Sequence, residues 1–63
     1  MKEKVMDFIK MYRNFTECKG FAEKQIRAII DWSWMSKDMG IIDQETHTEI
    51  YSSAVDALVE LDK

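Results

Sequence analysis

The stretch IIDWSWM, residues 29–35, decides whether the middle of the chain is a helix or a strand. On a strand, Trp32 and Trp34 would share one face, because successive side chains alternate between faces. On a helix each residue turns by about 100°, so the two indoles point about 160° apart. The flanking sequences AEKQIRAI and MSKDM favour a helix, and a lone strand is not stable. We therefore predict a helix with a tryptophan on each of two sides.

Two glycines, Gly20 and Gly40, divide the chain into three segments of about twenty residues, and there is no proline. Glycine often follows the last turn of a helix, where the backbone becomes left-handed. In each segment apolar side chains recur at steps of three and four residues, as on one face of a helix. The sequence predicts a single all-α domain, 1–63, folded as a three-helix bundle. The predicted helices are roughly 3–19, 22–39 and 44–62.

Local signals refine the ends of these helices. Gly20 is expected in the left-handed position after the first helix, with Phe21 folded back onto Phe15. Asp43 is a good N-cap for the third helix. A competing capping box at residues 46–49 leaves that start uncertain by about three residues.

The predicted middle helix is apolar around most of its circumference, which is typical of a helix buried on more than one side. Its polar side chains form only a narrow stripe, made of Lys24, Arg27, Asp31 and Asp38. Trp32 is expected in the core, and its stripe contains Phe21, Ala28, Met35 and Met39. Trp34 lies nearly opposite, beside Ile30, and is expected at an interface or partly exposed. The two roles could be exchanged, since helix phase alone does not say which side faces the other helices.

The length of the chain points to self-association. A chain of 63 residues buries only about 60% of its unfolded surface, and with one cysteine it forms no internal disulfide. Helix packing or association must therefore supply stability, and we expect a homodimer. Met6 is a further candidate contact, because the helical pattern places it among charged side chains. The expected protein-interface residues are Trp34, Ile30, Met35, Met39 and Met6.

The net charge of −3 hides an uneven distribution. Residues 1–30 carry seven Lys or Arg and four Asp or Glu, whereas no basic residue lies between Asp38 and Asp62. Binding to duplex DNA is therefore not expected, since phosphate neutralisation dominates such affinity. One face of the third helix carries an acidic row, Glu45, Glu49, Asp56 and Glu60. This row is either a solvated face or a mimic of successive phosphates.

No motif for catalysis, metal binding or cofactor binding stands out, so neither an enzyme nor a cofactor is expected. His47 is interpreted as a semi-buried residue or a pH-sensitive contact, and Cys18 as a small core residue. A metal site needs more ligands than these two. No apolar run approaches the roughly 18 residues of a membrane span, and a signal-peptide stretch is absent. A single thiol then suggests the reducing cytoplasm.

The stretch ECKGFAEKQIRAIIDW, residues 17–32, resembles the short helical openings of many phage and mobile-element proteins. MGIIDQETHTEI, residues 39–50, is similar to the end of short helical tail domains. Neither resemblance assigns a role to a residue. The sequence favours a non-enzymatic helical module that regulates or inhibits a protein partner, of the type that phages and mobile elements encode. The alternative is a nucleic-acid-linked role, as an acidic DNA mimic or a weak DNA binder.

Overall fold

A computed structural model describes residues 2–62, and for Thr16 the backbone alone. The three α-helices are α1 (Lys2–Arg13), α2 (Lys19–Asp38) and α3 (Gln44–Asp62). Short connections join them, so neighbours along the chain run antiparallel. α1 and α2 both pack against α3. The bundle has extents of 35 × 16 × 16 Å. The predicted all-α three-helix architecture is confirmed.

The predicted boundary between the first two helices is wrong. α1 ends at Arg13, a 3₁₀ turn spans Thr16–Cys18, and α2 already begins at Lys19. The Phe15 N–H donates to the Tyr12 carbonyl at 3.0 Å, which tightens the last turn of α1. Asn14 and Thr16 are poor helix formers, and the chain turns there rather than at a glycine. Gly20 therefore lies in the first turn of α2 and not in a left-handed cap.

The second glycine does end a helix, as predicted. Gly40 has a φ of +77°, the one positive φ in residues 2–62. The Ile41 N–H donates to the Ser36 carbonyl at 2.8 Å, and the Gly40 N–H donates to the Lys37 carbonyl at 3.0 Å. These two bonds form a Schellman motif, which satisfies carbonyls that the helix end would otherwise leave unpaired.

Asp43 is the N-cap of α3, as predicted. Its Oδ1 accepts a hydrogen bond from the Thr46 N–H at 2.8 Å, so one free donor of the first turn is satisfied. The hydrogen bonds from the hydroxyl and the backbone N–H of Thr46 hold the pKa of Asp43 below its ordinary value. The competing start at residues 46–49 is not used, because α3 begins at Gln44 and Thr46 already lies in its first turn.

The core of the bundle is narrow and built largely from small side chains. Each helix contributes to it, but α1 contributes only Ile9. The buried hydrophobic residues are Ile9, Ala22, Ile26, Ile50, Ala54, Ala57 and Leu61. Two serines, Ser33 and Ser36, are buried with them. Small side chains at these positions let the helices approach closely, but they leave little volume for large apolar groups.

Two further expectations about burial are wrong. Cys18 is exposed rather than in the core, because it lies in the 3₁₀ turn and not on the predicted extension of α1. Met6 is partly buried against the core, although its neighbours in sequence are charged. It lies three residues before Ile9, so on α1 it flanks the buried position instead of facing away.

The two glycines give a first testable prediction. Gly20→Ala is expected to raise the free energy of unfolding by about 0.5–1 kcal/mol, because a helical alanine loses less entropy and the added Cβ meets nothing within 4 Å. Gly40→Ala should lower it by about 1–2 kcal/mol, the penalty for a left-handed alanine. Urea unfolding measures both, and the opposite order would contradict the boundaries of α2.

The N-cap gives a second prediction. Asp43→Ala should lower the melting temperature, whereas Asp43→Asn keeps an oxygen that can accept the Thr46 N–H. The pKa of Asp43 is lower in the folded protein than in the unfolded chain, so its charge stabilises the fold at neutral pH. That contribution is lost as the pH falls from about 4 through the folded pKa.

Thermal unfolding of the wild type and the Asn variant over this pH range measures the effect. The wild type should lose stability relative to the variant as the solution becomes more acidic. A constant difference between the two proteins would contradict the cap.

Candidate functional site

The buried stripe of α2 runs between the two tryptophans. Ser33 is fully buried, and its hydroxyl donates to the Ile30 carbonyl at 2.7 Å. Because each helical residue turns by about 100°, Trp32 and Trp34 lie to either side of this serine. Trp32 is partly buried toward α1, where it packs against the core, whereas Trp34 is half exposed toward α3. The tryptophans therefore serve two different surfaces.

An aromatic cluster, made of Trp34, His47 and Tyr51, lies where α2 meets α3. The Trp34 and His47 ring centroids are 4.3 Å apart, and Tyr51 meets the indole edge-on at 6.2 Å. The Lys37 Nζ lies 5.2 Å above the Trp34 ring, within range of a cation–π interaction. Trp34 is 47% exposed and Tyr51 is 42% exposed. The indole is thus held from several sides and still presents about half of its surface.

His47 forms the buried base of the aromatic cluster. Its side chain is only 3% exposed, and within residues 2–62 its Nδ1 has no hydrogen-bond partner. A buried polar atom without a partner costs stability. The indole of Trp34 covers it. The sequence indicated a semi-buried histidine, but it gave no sign of the contact with Trp34.

A second surface, the α1–α2 face, lies on the opposite side of α2. Its exposed large side chains are Phe8, Met11, Phe15, Phe21, Met35 and Met39. Tyr12 and Trp32 line it while partly buried, on either side of a groove of about 260 Å³. The predicted Phe15–Phe21 contact is present, with ring centroids 6.0 Å apart. The expectation that Phe21, Met35 and Met39 form a core stripe with Trp32 is wrong.

The structure divides the predicted interface residues among three places. Trp34 belongs to the aromatic cluster, and Ile30 is partly buried against the core one turn before it. Met35 and Met39 are the most exposed large hydrophobic side chains, at 60% and 69%, and they lie on the α1–α2 face. Met6 packs against the core. Sequence reasoning missed Phe8 and Tyr12 as groove residues, because their exposure depends on how α1 and α2 pack.

The acidic row of α3 is exposed along its length. Glu45, Glu49, Asp56 and Glu60 all have exposed side chains. Lys2 neutralises one of them, since its ammonium donates to Glu49 at 2.6 Å. This hydrogen bond, together with the charge of Glu49, raises the pKa of Lys2 above its ordinary value. The row is therefore interrupted by a cation from α1.

Other features that could carry chemistry are sparse in the described part of the chain. A surface concavity of about 680 Å³ lies against the α2–α3 connection, and its charged lining residues are Lys2 and Asp43. Both side chains are already engaged, by Glu49 and Thr46 respectively. Residues 2–62 contain no group of three or more metal-ligating side chains. Within the same range, none of the helices is both long and apolar enough to cross a membrane.

The chain was compared with family models, curated proteins and solved structures. No family model matches it, and no curated protein or solved structure shows significant similarity to it. The two surfaces described above are therefore the features from which a function can be inferred.

The buried histidine gives a third prediction. His47→Phe keeps a ring beneath Trp34 and removes the unpartnered nitrogen, so the free energy of unfolding should stay within about 1 kcal/mol of the wild type or rise. His47→Ala leaves a cavity and should lower it by about 2–3 kcal/mol. Urea unfolding with tryptophan fluorescence measures both variants. Equal destabilisation by Phe and Ala would mean that the Nδ1 makes a hydrogen bond in solution.

Proposed function

We propose that the protein is a non-enzymatic, self-associating module that binds a protein partner through the aromatic cluster, with Trp34 as the anchor. One observation carries this proposal, namely a half-exposed indole held by His47, Tyr51 and Lys37. Tryptophan and tyrosine are enriched among the residues that dominate binding energy. An anchor whose side chain is already ordered loses less entropy on binding. The cluster therefore combines a suitable residue with a preformed geometry.

Charge adds a preference for the kind of partner. The α3 side of the aromatic cluster is acidic, since residues 38–62 carry seven carboxylates and no Lys or Arg, whereas Lys37 of α2 lies over the indole itself. A negative field of this kind accelerates encounter with a positively charged surface and disfavours acidic ones. The proposed partner surface is an apolar pocket for Trp34 with basic residues around it.

A regulator or inhibitor is the form of module that fits this size best. A chain of 63 residues with one surface-held anchor can occupy a site on a larger protein and block or modulate it. Phages and mobile elements encode small proteins of this type, and the proposal includes that origin. The cytoplasm is the proposed location, since the exposed thiol of Cys18 stays reduced there.

A nucleic-acid-linked role has less support. A DNA mimic needs an uninterrupted row of negative charge, whereas Lys2 neutralises Glu49 in the middle of the α3 row. Direct DNA binding needs clustered Lys or Arg side chains, and α3 contributes none between Gln44 and Asp62. Protein binding through the aromatic cluster remains the proposed function.

The fourth prediction tests the anchor. Trp34→Ala should abolish capture of the partner while leaving the helical circular dichroism nearly intact. Half of the indole is already in solvent, so the free energy of unfolding should fall by only about 1–2 kcal/mol. Photo-crosslinking from position 34 in the native cell, followed by mass spectrometry, identifies the partner, and affinity capture compares the variants.

Val59→Ala is the matched control for this experiment. It truncates an apolar side chain that is 52% exposed and lies on α3 outside both surfaces, so it should leave partner capture unchanged. Trp34→Phe should retain part of the binding, because an aromatic ring remains over His47. Equal capture by the wild type and Trp34→Ala would rule out the aromatic cluster as the binding site.

A further inference from the structure

The α1–α2 face exposes a large area of apolar surface for a chain of 63 residues. A large aromatic side chain offers about 150–250 Å² for burial, so six large side chains that are each roughly half exposed present on the order of 600 Å². This area is at the upper end of the largest patch on a typical monomer. With the partly buried Tyr12 and Trp32 it approaches the roughly 800 Å² that each partner buries in a standard interface.

The exposed side chains of this face form one continuous surface. Phe8 links two parts of it, because it lines the groove with Trp32 and also a concavity of about 240 Å³ with Met11. At the other end, Phe21 contacts the rings of both Tyr12 and Phe15, with centroids 6.2 and 6.0 Å apart. Residues 28, 32, 35 and 39 follow one another at helical steps of four, three and four. The two methionines therefore extend the same surface along α2.

We propose that a second copy of the chain covers the α1–α2 face in a two-fold symmetric dimer. The charges beside the face support this occupant, because each helix contributes as many basic as acidic side chains. They are Lys4 and Asp7 on α1, and Lys24, Arg27, Asp31 and Asp38 in the polar stripe of α2, all exposed. The charges at the edge of the face therefore sum to about zero. A two-fold contact brings the same surface against itself, which requires a rim that does not repel its own copy.

The other side of the bundle is a poorer place for a second copy. α3 carries five carboxylates and no Lys or Arg within Gln44–Asp62. Two copies that met through α3 would oppose like charges, although Lys2 offsets the charge of Glu49. The aromatic cluster lies on that side and stays free in the proposed dimer. The inference rests on the self-association included in the proposed function, but it does not depend on partner binding at Trp34.

The fifth prediction tests this dimer by placing a charge on the face. Phe8→Lys and Met35→Lys each put an ammonium into the proposed interface, and the dissociation constant should rise by at least about a hundredfold, because an unpaired buried charge is strongly unfavourable. Val59→Lys is the matched control. Val59 and Phe8 are both 52% exposed, but Val59 lies on α3, so its variant should dimerise like the wild type.

Sedimentation equilibrium from micromolar to millimolar concentration measures association. The wild type and Val59→Lys should show twice the 7.5 kDa mass of the chain, and the two face variants should remain monomers. Circular dichroism checks that each variant is folded. If Phe8→Lys unfolds, Met35→Lys still carries the test, since its side chain is the more exposed of the two.

Amide NMR spectra recorded on dilution locate the contact in the unmodified protein. Shifts confined to α1 and α2 around Phe8, Trp32 and Met35 support the inference, and shifts confined to α3 overturn it. If the face variants dimerise as well as the control, the protein self-associates but the α1–α2 face is not the interface. If the wild type stays a monomer at every concentration, self-association fails as well. Partner capture by Trp34 is measured in a separate experiment. Its outcome tests partner binding independently of whether the protein dimerises.

Discussion

The burial of Ser33 at the centre of α2 is the constraint on which the rest of the structure depends. A buried hydroxyl must find an acceptor, and Ser33 finds one in its own helix, at the Ile30 carbonyl. It therefore needs no polar partner from α1 or α3, and those helices can pack closely against a small side chain. The adjacent tryptophans are too large for this central position. They lie on its two flanks, and each flank becomes the edge of a separate surface.

A core made of small side chains has a second consequence. Three of the seven buried hydrophobic residues are alanines, whereas eleven large hydrophobic side chains are substantially exposed. Hydrophobic stabilisation is roughly proportional to the apolar area removed from water, so much of the potential stabilisation remains unused in a single copy. The two faces of α2 are where this unused apolar area is concentrated. A protein that covers one of them gains stability from the same side chains that recognise it.

The sequence predicted the fold class well, because the three helices are long and periodic. It also located the end of α2 and the start of α3. There Gly40 adopts a positive φ and Asp43 caps the first turn, and both roles follow from the residue type. It failed where the outcome depended on tertiary packing. Gly20 has the same backbone freedom as Gly40, but the turn at Asn14 had already reversed the chain. The phase of α2 could not be predicted either, since a stripe of methionine and phenylalanine is more hydrophobic than the serines that are buried.

The candidate sites show the same division between local and tertiary information. Sequence reasoning selected Trp34, Met35 and Met39 as interface candidates, but it also placed both methionines in the core stripe of Trp32, because the phase of α2 is set by packing. The contact of Trp34 with His47 joins α2 to α3 and has no signature in either helix alone. Tyr51 lies one turn after His47, so the pair was visible as an i, i+4 spacing. Only the packing of α2 against α3 showed that His47 and Tyr51 contact the indole of Trp34.

The position of the two surfaces on opposite sides of α2 allows them to be used at the same time. In the proposed dimer the α1–α2 faces are covered, and two aromatic clusters remain exposed. A partner with two copies of its own binding pocket would then be held at both, and the second contact would form at a high effective concentration. A modest affinity at each Trp34 would give strong overall binding without enlarging either cluster. For a chain of 63 residues, duplication of one small anchor requires less new structure than a single large interface.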